Sequence, residues 1–179
     1  MNRLHDLFNQ QGQSPWLDNL RRSWIVSGEL QGWVDRGARG ITSNPSIFQK
    51  AMTGTDAYDE QLRSLTESGC SVEESYWELV VRDIHDALEI LRPVHEESDG
   101  LDGYVSVEVD PRLAPDTEGT MVAARQLDQR LDRPNLYVKI PGTAAGIPAI
   151  RQMISEGRSI NVTLIFSLDS YSDVMEAYM

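Results

Sequence analysis

Asn135-Leu136-Tyr137-Val138-Lys139-Ile140-Pro141 is the stretch from which the fold of this 179-residue chain can be predicted. It places a lysine inside an apolar run of the kind that forms a strand. Successive side chains of a strand point to opposite faces, so the leucine, valine and isoleucine share one face. Tyr137 and Lys139 share the other. The pattern predicts a strand with one face for packing and one face for chemistry.

Two other stretches repeat this pattern. In YVSVEV (104–109) three valines share a face, and Glu108 lies on the opposite one with a tyrosine and a serine. In INVTLI (160–165) alternate apolar residues share a face, while Asn161 and Thr163 lie on the other with the last isoleucine. We therefore expect three strands that each combine an apolar face with a polar one.

Length and composition restrict the function classes. The chain suits one domain, and its 16 Lys and Arg against 28 Asp and Glu give a net charge of -12, which argues against nucleic acid or an anionic membrane as partner. The single cysteine, Cys70, excludes an intrachain disulfide and fits a reducing compartment. The first residues do not resemble a secretory signal peptide, and the sequence contains no run of roughly 18 consecutive apolar residues that could span a membrane. We predict a soluble, cytoplasmic protein.

The order of predicted elements is one short helix followed by a strand and a helix repeated about five times. Strands are expected near 16–20, 39–43, 102–109, 135–140 and 159–166, after a helix at about residues 2–11. Ser71-Val72-Glu73-Glu74 is a capping box that begins a long helix, which Pro93 is expected to close. A helix is predicted over 143–156 and another over 168–179, capped by Ser167. This alternation favours parallel strands and an α/β fold.

The polar strand faces favour a barrel over an open sheet. Central strands of a doubly wound sheet are apolar on both faces, and no G-x-G-x-x-G follows any strand. In a (β/α)8 TIM-type barrel the active site lies at the carboxyl ends of the strands, where Asp18, Asn44, Glu108, Lys139 and Thr163 are predicted to lie. Such barrels usually need about 250 residues. We therefore expect residues 1–179 to form a single, truncated barrel domain with about five of eight βα units.

Lys139 suggests Schiff-base chemistry. A lysine on an inner strand face loses solvation, which favours the neutral amine that can attack a carbonyl. Glu108 is a candidate for moving the protons of the carbinolamine, and Asp18 for taking a proton from a substrate hydroxyl. Asn44, Asn161 and Thr163 could hydrogen-bond a polyol.

Plainer interpretations stay open from the residues alone. Lys139 and Glu108 could form a structural ion pair, and Asp18 could be a helix cap or a surface residue. Asn161 and Thr163 could face water on an antiparallel sheet. The three histidines show no ligand spacing, so no metal site is predicted.

Five motifs in one order resemble the transaldolase family, in its longer bacterial form. They are WLDNL (16–20), GITSNPSIF (40–48), VSVEVDPRL (105–113), YVKIPGT (137–143) and INVTLIFS (160–167). The resemblance implies a (β/α)8 barrel and a class I mechanism without a cofactor. Lys139 would form the Schiff base, Asp18 would accept the hydroxyl proton in retro-aldol cleavage, and Glu108 would transfer protons with Thr163 and a water.

The resemblance also implies substrates. Asn44 and Asn161 would hold a dihydroxyacetone unit, and Thr42 would line the site. That unit would pass from sedoheptulose 7-phosphate to glyceraldehyde 3-phosphate, giving erythrose 4-phosphate and fructose 6-phosphate, in the pentose phosphate pathway. The family's phosphate-binding arginine is expected beyond Met179. Two alternatives stay open: another class I sugar-phosphate aldolase, and a non-catalytic fragment that self-associates through an open barrel edge.

Overall fold

The computed structural model describes residues 3–179 as five strands and nine α-helices, together with one short 3-10 turn. Its first helix, α1, spans Arg3–Gln11, so the helix predicted at about 2–11 is confirmed except for position 2, which lies outside the described residues. The strands are β1 (Trp16–Leu17), β2 (Gly40–Thr42), β3 (Tyr104–Glu108), β4 (Leu136–Pro141) and β5 (Ile160–Thr163). The remaining helices are α2 (Arg22–Ser27), α3 (Glu29–Asp35), α4 (Pro45–Met52), α5 (Asp59–Glu67), α6 (Val72–Glu97), α7 (Thr117–Leu131), α8 (Gly146–Ser155) and α9 (Leu168–Tyr178).

The chain divides into two compact units, Met1–Val105 and Ser106–Met179. The division falls inside β3. The prediction of a single domain over 1–179 stays a prediction, and each unit is described by itself below.

In the first unit, β1 and β2 pair in parallel, with Trp16 beside Gly40 and Leu17 beside Ile41. Only glycine fits at position 40 in this register, because the β-carbon of any other residue would lie 2.2 Å from the Trp16 ring. The start of β3 follows β2, and the Gly103 amide donates to the Arg39 carbonyl at 2.8 Å.

Helix α6 supplies much of the core of the first unit. It begins with the predicted capping box: the Glu74 amide donates to the Ser71 hydroxyl at 3.2 Å, and the Ser71 amide donates to the Glu74 carboxylate at 2.8 Å. Its apolar stripe is fully buried at Ile84, Leu88 and Leu91. Helices α2, α3 and α5 pack against it.

The prediction that Pro93 closes α6 is wrong, because the helix continues to Glu97. A proline has no backbone N–H, so one hydrogen bond of the helix is lost at Pro93. Because Pro93 lies so late in α6, only the final turn is affected by this loss. The final turn has its own anchor, since a ring nitrogen of His95 is 2.8 Å from the Asp102 carbonyl oxygen. Gly103 approaches so closely that a β-carbon there would lie 2.3 Å from the His95 amide nitrogen.

In the second unit the strand order is β3-β4-β5, and β4 pairs with β5 in parallel. The apolar face predicted from alternation is buried at Val107, Val109, Leu136, Val138 and Ile140. Helices α7 and α8 pack together, and α8 also packs against α9 and both β4 and β5. The Ser167 hydroxyl accepts from the Ser170 amide at 3.0 Å, which confirms it as the cap of α9.

Several boundaries differ from prediction: β1 ends at Leu17 rather than near residue 20, β3 spans Tyr104–Glu108 rather than 102–109, and two further differences have a clear cause. Strand β5 ends at Thr163 rather than Phe166, because Leu164 adopts a left-handed backbone conformation with φ 61° that interrupts extended pairing. Helix α8 begins at Gly146 rather than Thr143, because the Thr143 hydroxyl accepts from the Gly146 amide and caps the helix from outside it. Pro148 lies in the first turn of α8, where a proline removes no intrahelical hydrogen bond.

The predicted α/β fold is confirmed: helices alternate with five strands, and the pairings β1–β2 and β4–β5 are parallel. This architecture is consistent with part of a TIM-type barrel. Among residues 3–179, no helix is both long and apolar enough to cross a membrane.

Candidate active site

Lys139 lies on β4 with its side chain on the face opposite the buried Val138 and Ile140. Only 8% of the residue is exposed, which is rare for a lysine unless it is paired. Its amine nitrogen, Nζ, lies 3.6 Å from Oε2 of Glu108. An amine and a carboxylate at this separation and this degree of burial interact strongly, since little water screens them.

Strand pairing sets this separation. Glu108 is the last residue of β3, and the amide of the next residue, Val109, donates to the Lys139 carbonyl at 3.2 Å. Alternation places Ser106, which is fully buried, on the same face of β3 as Glu108. Glu108 and Lys139 are therefore held together by the backbone as well as by charge.

Strand β5 adds two polar residues to the same face. Asn161 lies directly beside Lys139 in the parallel register, and Thr163 lies beside Pro141. The hydroxyl oxygen of Thr163 is buried and has no hydrogen-bond partner among residues 3–179. Because buried hydroxyls normally find partners, this atom is available to bind a ligand atom.

The structure thus brings together four of the seven predicted site residues in the second unit: Lys139, Glu108, Asn161 and Thr163. This arrangement excludes the antiparallel interpretation of Asn161 and Thr163, since β4 and β5 are parallel.

The other three predicted site residues belong to the first unit. Asp18 directly follows β1 and is exposed, and Thr42 is the last residue of β2 and half-buried. Asn44 caps α4, because its side-chain oxygen accepts from the Ile47 amide at 2.9 Å. Asp18 is not a helix cap: α2 begins at Arg22, after Arg21 in the cap position.

The loops that follow β3 and β4 are joined by threonine hydroxyls that sequence reasoning missed. Thr143 donates to the Ala114 carbonyl at 2.7 Å, and Thr117 donates to the Ala145 carbonyl at 2.7 Å. The only sequence signal was the position of each threonine at the start of a segment that leads into a helix.

A second buried charge pair, also missed, lies in the first unit. Nε of Arg22 donates to Asp83 at 2.6 Å, and the Tyr58 hydroxyl donates to the other carboxylate oxygen at 2.7 Å. Burial raises the pKa of Asp83 even though both partners favour its charged form. Burial and the neighbouring Asp83 also raise the pKa of Tyr58. Both carboxylate oxygens of Asp83 and two of the Arg22 guanidinium nitrogens have protein partners, which is typical of a structural cluster.

Within residues 3–179, no group of three or more His, Cys, Asp and Glu side chains is placed to hold a metal ion. The chemistry available to the second-unit cluster is that of an amine, a carboxylate, an amide and a hydroxyl. This set can form and protonate a Schiff base.

Comparison with known proteins gives matches that cover nearly all of this chain. It is 49% identical over 171 residues to Transaldolase 2 of Nostoc punctiforme, a match covering 95% of this chain and 45% of that protein. It is 52% identical over 169 residues to the transaldolase of Thermobifida fusca, covering 94% of this chain and 46% of that protein. The chain therefore spans about half the length of these relatives.

The sequence pattern described as Transaldolase/Fructose-6-phosphate aldolase matches residues 15–178, which include the Lys139–Glu108 pair and both β5 residues beside it. The resemblance read from the five strand motifs is confirmed by this match. The chain belongs to the transaldolase/fructose-6-phosphate aldolase family.

Proposed function

We propose that this chain carries the Schiff-base lysine of a transaldolase, with Lys139 as the nucleophile. The observation that supports this most is the Lys139 amine, almost fully buried on a polar strand face and 3.6 Å from Glu108. A purely structural pair would not require Asn161 and the free hydroxyl of Thr163 beside it.

The first step is addition of the neutral amine to the ketose carbonyl. Glu108 first takes a proton from Lys139. A bond then forms between Nζ and the carbonyl carbon, and one proton of Nζ passes to the carbonyl oxygen to give a carbinolamine. Glu108 donates the proton with which the hydroxyl leaves as water, and the iminium remains. Thr163 supports this transfer by hydrogen bonding to the leaving hydroxyl or to an intervening water.

The second step breaks a carbon–carbon bond. A carboxylate takes the proton of the substrate hydroxyl, the electrons of the adjacent carbon–carbon bond move into the iminium, and an aldose leaves. We assign this role to Asp18 from the family resemblance. The three-carbon enamine on Lys139 then adds to an acceptor aldehyde, and hydrolysis of the new Schiff base releases the product.

The substrates follow from the same resemblance. The donor is sedoheptulose 7-phosphate, the acceptor is glyceraldehyde 3-phosphate, and the products are erythrose 4-phosphate and fructose 6-phosphate, as in the pentose phosphate pathway. Asn161, with Asn44 and Thr42, would hold the dihydroxyacetone unit. No cofactor and no nucleic acid take part, and the reaction belongs to the cytoplasm.

Borohydride trapping with fructose 6-phosphate tests the nucleophile. The sequence contains only two lysines, Lys50 and Lys139, so peptide mass spectrometry can distinguish the sites directly. We expect a reduced adduct on Lys139 and none on Lys50, which is exposed near the end of α4. Lys139→Ala should lose the adduct and Lys50→Ala should keep it. No adduct on Lys139 in a folded sample would contradict the proposal.

A second candidate is simple aldolase activity, which the family description also includes. Adding erythrose 4-phosphate to a reaction with fructose 6-phosphate that contains no borohydride distinguishes the two. A transaldolase passes the three-carbon unit to the acceptor and forms sedoheptulose 7-phosphate, whereas an aldolase releases dihydroxyacetone regardless of acceptor.

A further inference from the structure

Two threonine hydroxyls connect the loop after β3 to the loop after β4. Thr143 lies two residues beyond β4 and donates to the carbonyl of Ala114 at 2.7 Å. Thr117, the first residue of α7, donates in the opposite direction to the carbonyl of Ala145 at 2.7 Å. We call Thr117 and Thr143 the threonine brace.

The two bonds act in opposite directions between the same two loops. The loop after β3 and the first residue of α7 together supply one carbonyl acceptor and one hydroxyl donor, and the loop after β4 supplies the other donor and acceptor, so sliding of one loop past the other breaks both bonds. Both loops begin close to the amine–carboxylate pair. One loop leaves β3 directly after Glu108, and the other leaves β4 two residues after Lys139.

The second loop has little freedom of its own. The Gly142 amide donates to the Thr163 carbonyl at 2.7 Å, and a β-carbon at Gly146 would lie 1.9 Å from the Pro141 carbonyl oxygen. This loop is therefore fixed against β5 and against the end of β4. The brace joins the loop of Glu108 to this fixed segment.

We propose that Thr117 and Thr143 are positioning residues that hold the Glu108 carboxylate at its distance from the Lys139 amine. Both threonines are half-buried and neither belongs to the amine–carboxylate pair, so they act through the backbone. The inference deepens the proposed function, since it rests on Lys139 as the nucleophile and Glu108 as its proton donor. Small displacements of reacting groups lower rates strongly, which gives the brace a catalytic consequence.

The first test uses amine labelling and needs no sugar substrate. Competitive labelling with trace acetic anhydride reports the reactivity of Lys139 relative to Lys50, the internal reference in the same molecule. In the double variant Thr117→Val/Thr143→Val, we expect the Lys139/Lys50 ratio to change by roughly fivefold or more, since the loss of even one of the two hydrogen bonds corresponds to about that factor. The serine pair, Thr117→Ser/Thr143→Ser, keeps both hydroxyls and should restore the ratio.

Thr120→Val is the matched control. Thr120 is buried and its hydroxyl donates to the Leu113 carbonyl at 3.0 Å, so it fastens the loop after β3 to its own helix α7 and to nothing beyond. Removing this hydroxyl also breaks a hydrogen bond to a backbone carbonyl, but it leaves the two loops joined. We expect no change in the labelling ratio, and an equal change in Thr120→Val would overturn the proposal.

The second test measures the rate of borohydride trapping by fructose 6-phosphate. The valine pair should slow adduct formation about tenfold, and the serine pair should recover it. An unchanged rate and labelling ratio in a folded valine pair would overturn the inference. Absence of trapping in the unaltered protein would contradict the proposed function instead, while the labelling ratio would still decide whether the brace positions Lys139.

Discussion

Among single residues, Glu108 offers the sharpest test of the chemistry. Glu108→Gln keeps the size of the side chain but removes the proton it can donate, and it leaves the Lys139 amine without the carboxylate 3.6 Å away. We expect borohydride trapping to slow about 100-fold, the range typical of general acid–base groups. The measurement is the initial rate of adduct formation on Lys139.

Glu118→Gln is the control for Glu108→Gln, because Glu118 is an exposed residue in the first turn of α7. It should trap at the normal rate. If Glu108→Gln also traps at the normal rate, Glu108 is a structural partner of the lysine and not its proton donor.

The buried Arg22–Asp83–Tyr58 cluster gives a stability prediction at the same scale. Asp83→Asn leaves the guanidinium of Arg22 buried without its carboxylate, so we expect a loss of about 3–5 kcal/mol in the free energy of unfolding. Asp86→Asn, three residues away on α6, breaks the exposed pair with Arg82 and should cost about 1 kcal/mol or less. Urea unfolding followed by circular dichroism compares them, and equal losses would contradict the assignment of a buried pair.

At the scale of elements, α7 and α8 are fastened by a charged cluster around Glu156, which directly follows α8. The Glu156 carboxylate accepts hydrogen bonds from Arg125 of α7 at 2.5 Å, from Gln152 at 2.9 Å and from Arg158 at 3.1 Å. The hydrogen bonds from Arg125, followed by that from Gln152, lower the pKa of Glu156 to about 2. Arg158 also pairs with Asp128 of α7.

This cluster predicts a pH dependence of stability. The pKa of Glu156 in the folded chain lies below its unfolded value of about 4.3, so its contribution is present above that value and is lost as the pH falls towards 2. In urea titrations between about pH 6 and pH 3, Glu156→Gln should lose less stability than the unaltered chain. Glu97→Gln, at the exposed end of α6, should follow the unaltered chain. Parallel curves for Glu156→Gln would refute the prediction.

Elements were predictable wherever local pattern decides the structure. The capping box fixed the start of α6, and period-two alternation identified the buried faces of β3 and β4. The end of β5 was not predictable, because the left-handed conformation of Leu164 has no signature in an apolar run. The continuation of α6 past Pro93 is accompanied by the contact of His95 with the carbonyl of Asp102 in the loop before β3, which no helical pattern predicts.

The candidate site shows the same division. Lys139, Glu108 and Thr163 were identifiable because a polar residue stands out in an apolar strand. The threonine brace was not identifiable, because a threonine near the start of a helix is common and the carbonyl partner of each hydroxyl lies in another loop. The Arg22–Asp83 pair joins residues 61 positions apart, a separation over which no local pattern operates.

At the scale of the whole molecule, exposed apolar side chains are concentrated near the carboxyl end. Phe166 is 87% exposed, Leu168 85% and Tyr178 73%, and a groove of about 410 Å³ lies between α8, α9 and β5. Strand β5 has no second neighbour in the strand order of residues 3–179. We expect this chain to self-associate through these residues.

Sedimentation velocity across a range of concentrations checks this expectation. The unaltered chain should shift to larger species as concentration rises, and Phe166→Ser/Tyr178→Ser should reduce the shift. Val26→Ser removes an apolar side chain of similar exposure in the first unit and should leave the shift unchanged. A strictly monomeric unaltered chain would rule out self-association.

The unpartnered hydroxyl of Thr163 has a consequence for how this chain would respond to selection. A buried hydroxyl without a partner lowers the free energy of unfolding by about 1–3 kcal/mol, so Thr163→Val should raise the melting temperature while it slows trapping on Lys139. A lower melting temperature in Thr163→Val would show that the hydroxyl is already satisfied. Selection for thermal stability alone would therefore tend to replace Thr163 with an apolar residue, and only selection for catalytic activity would retain the hydroxyl.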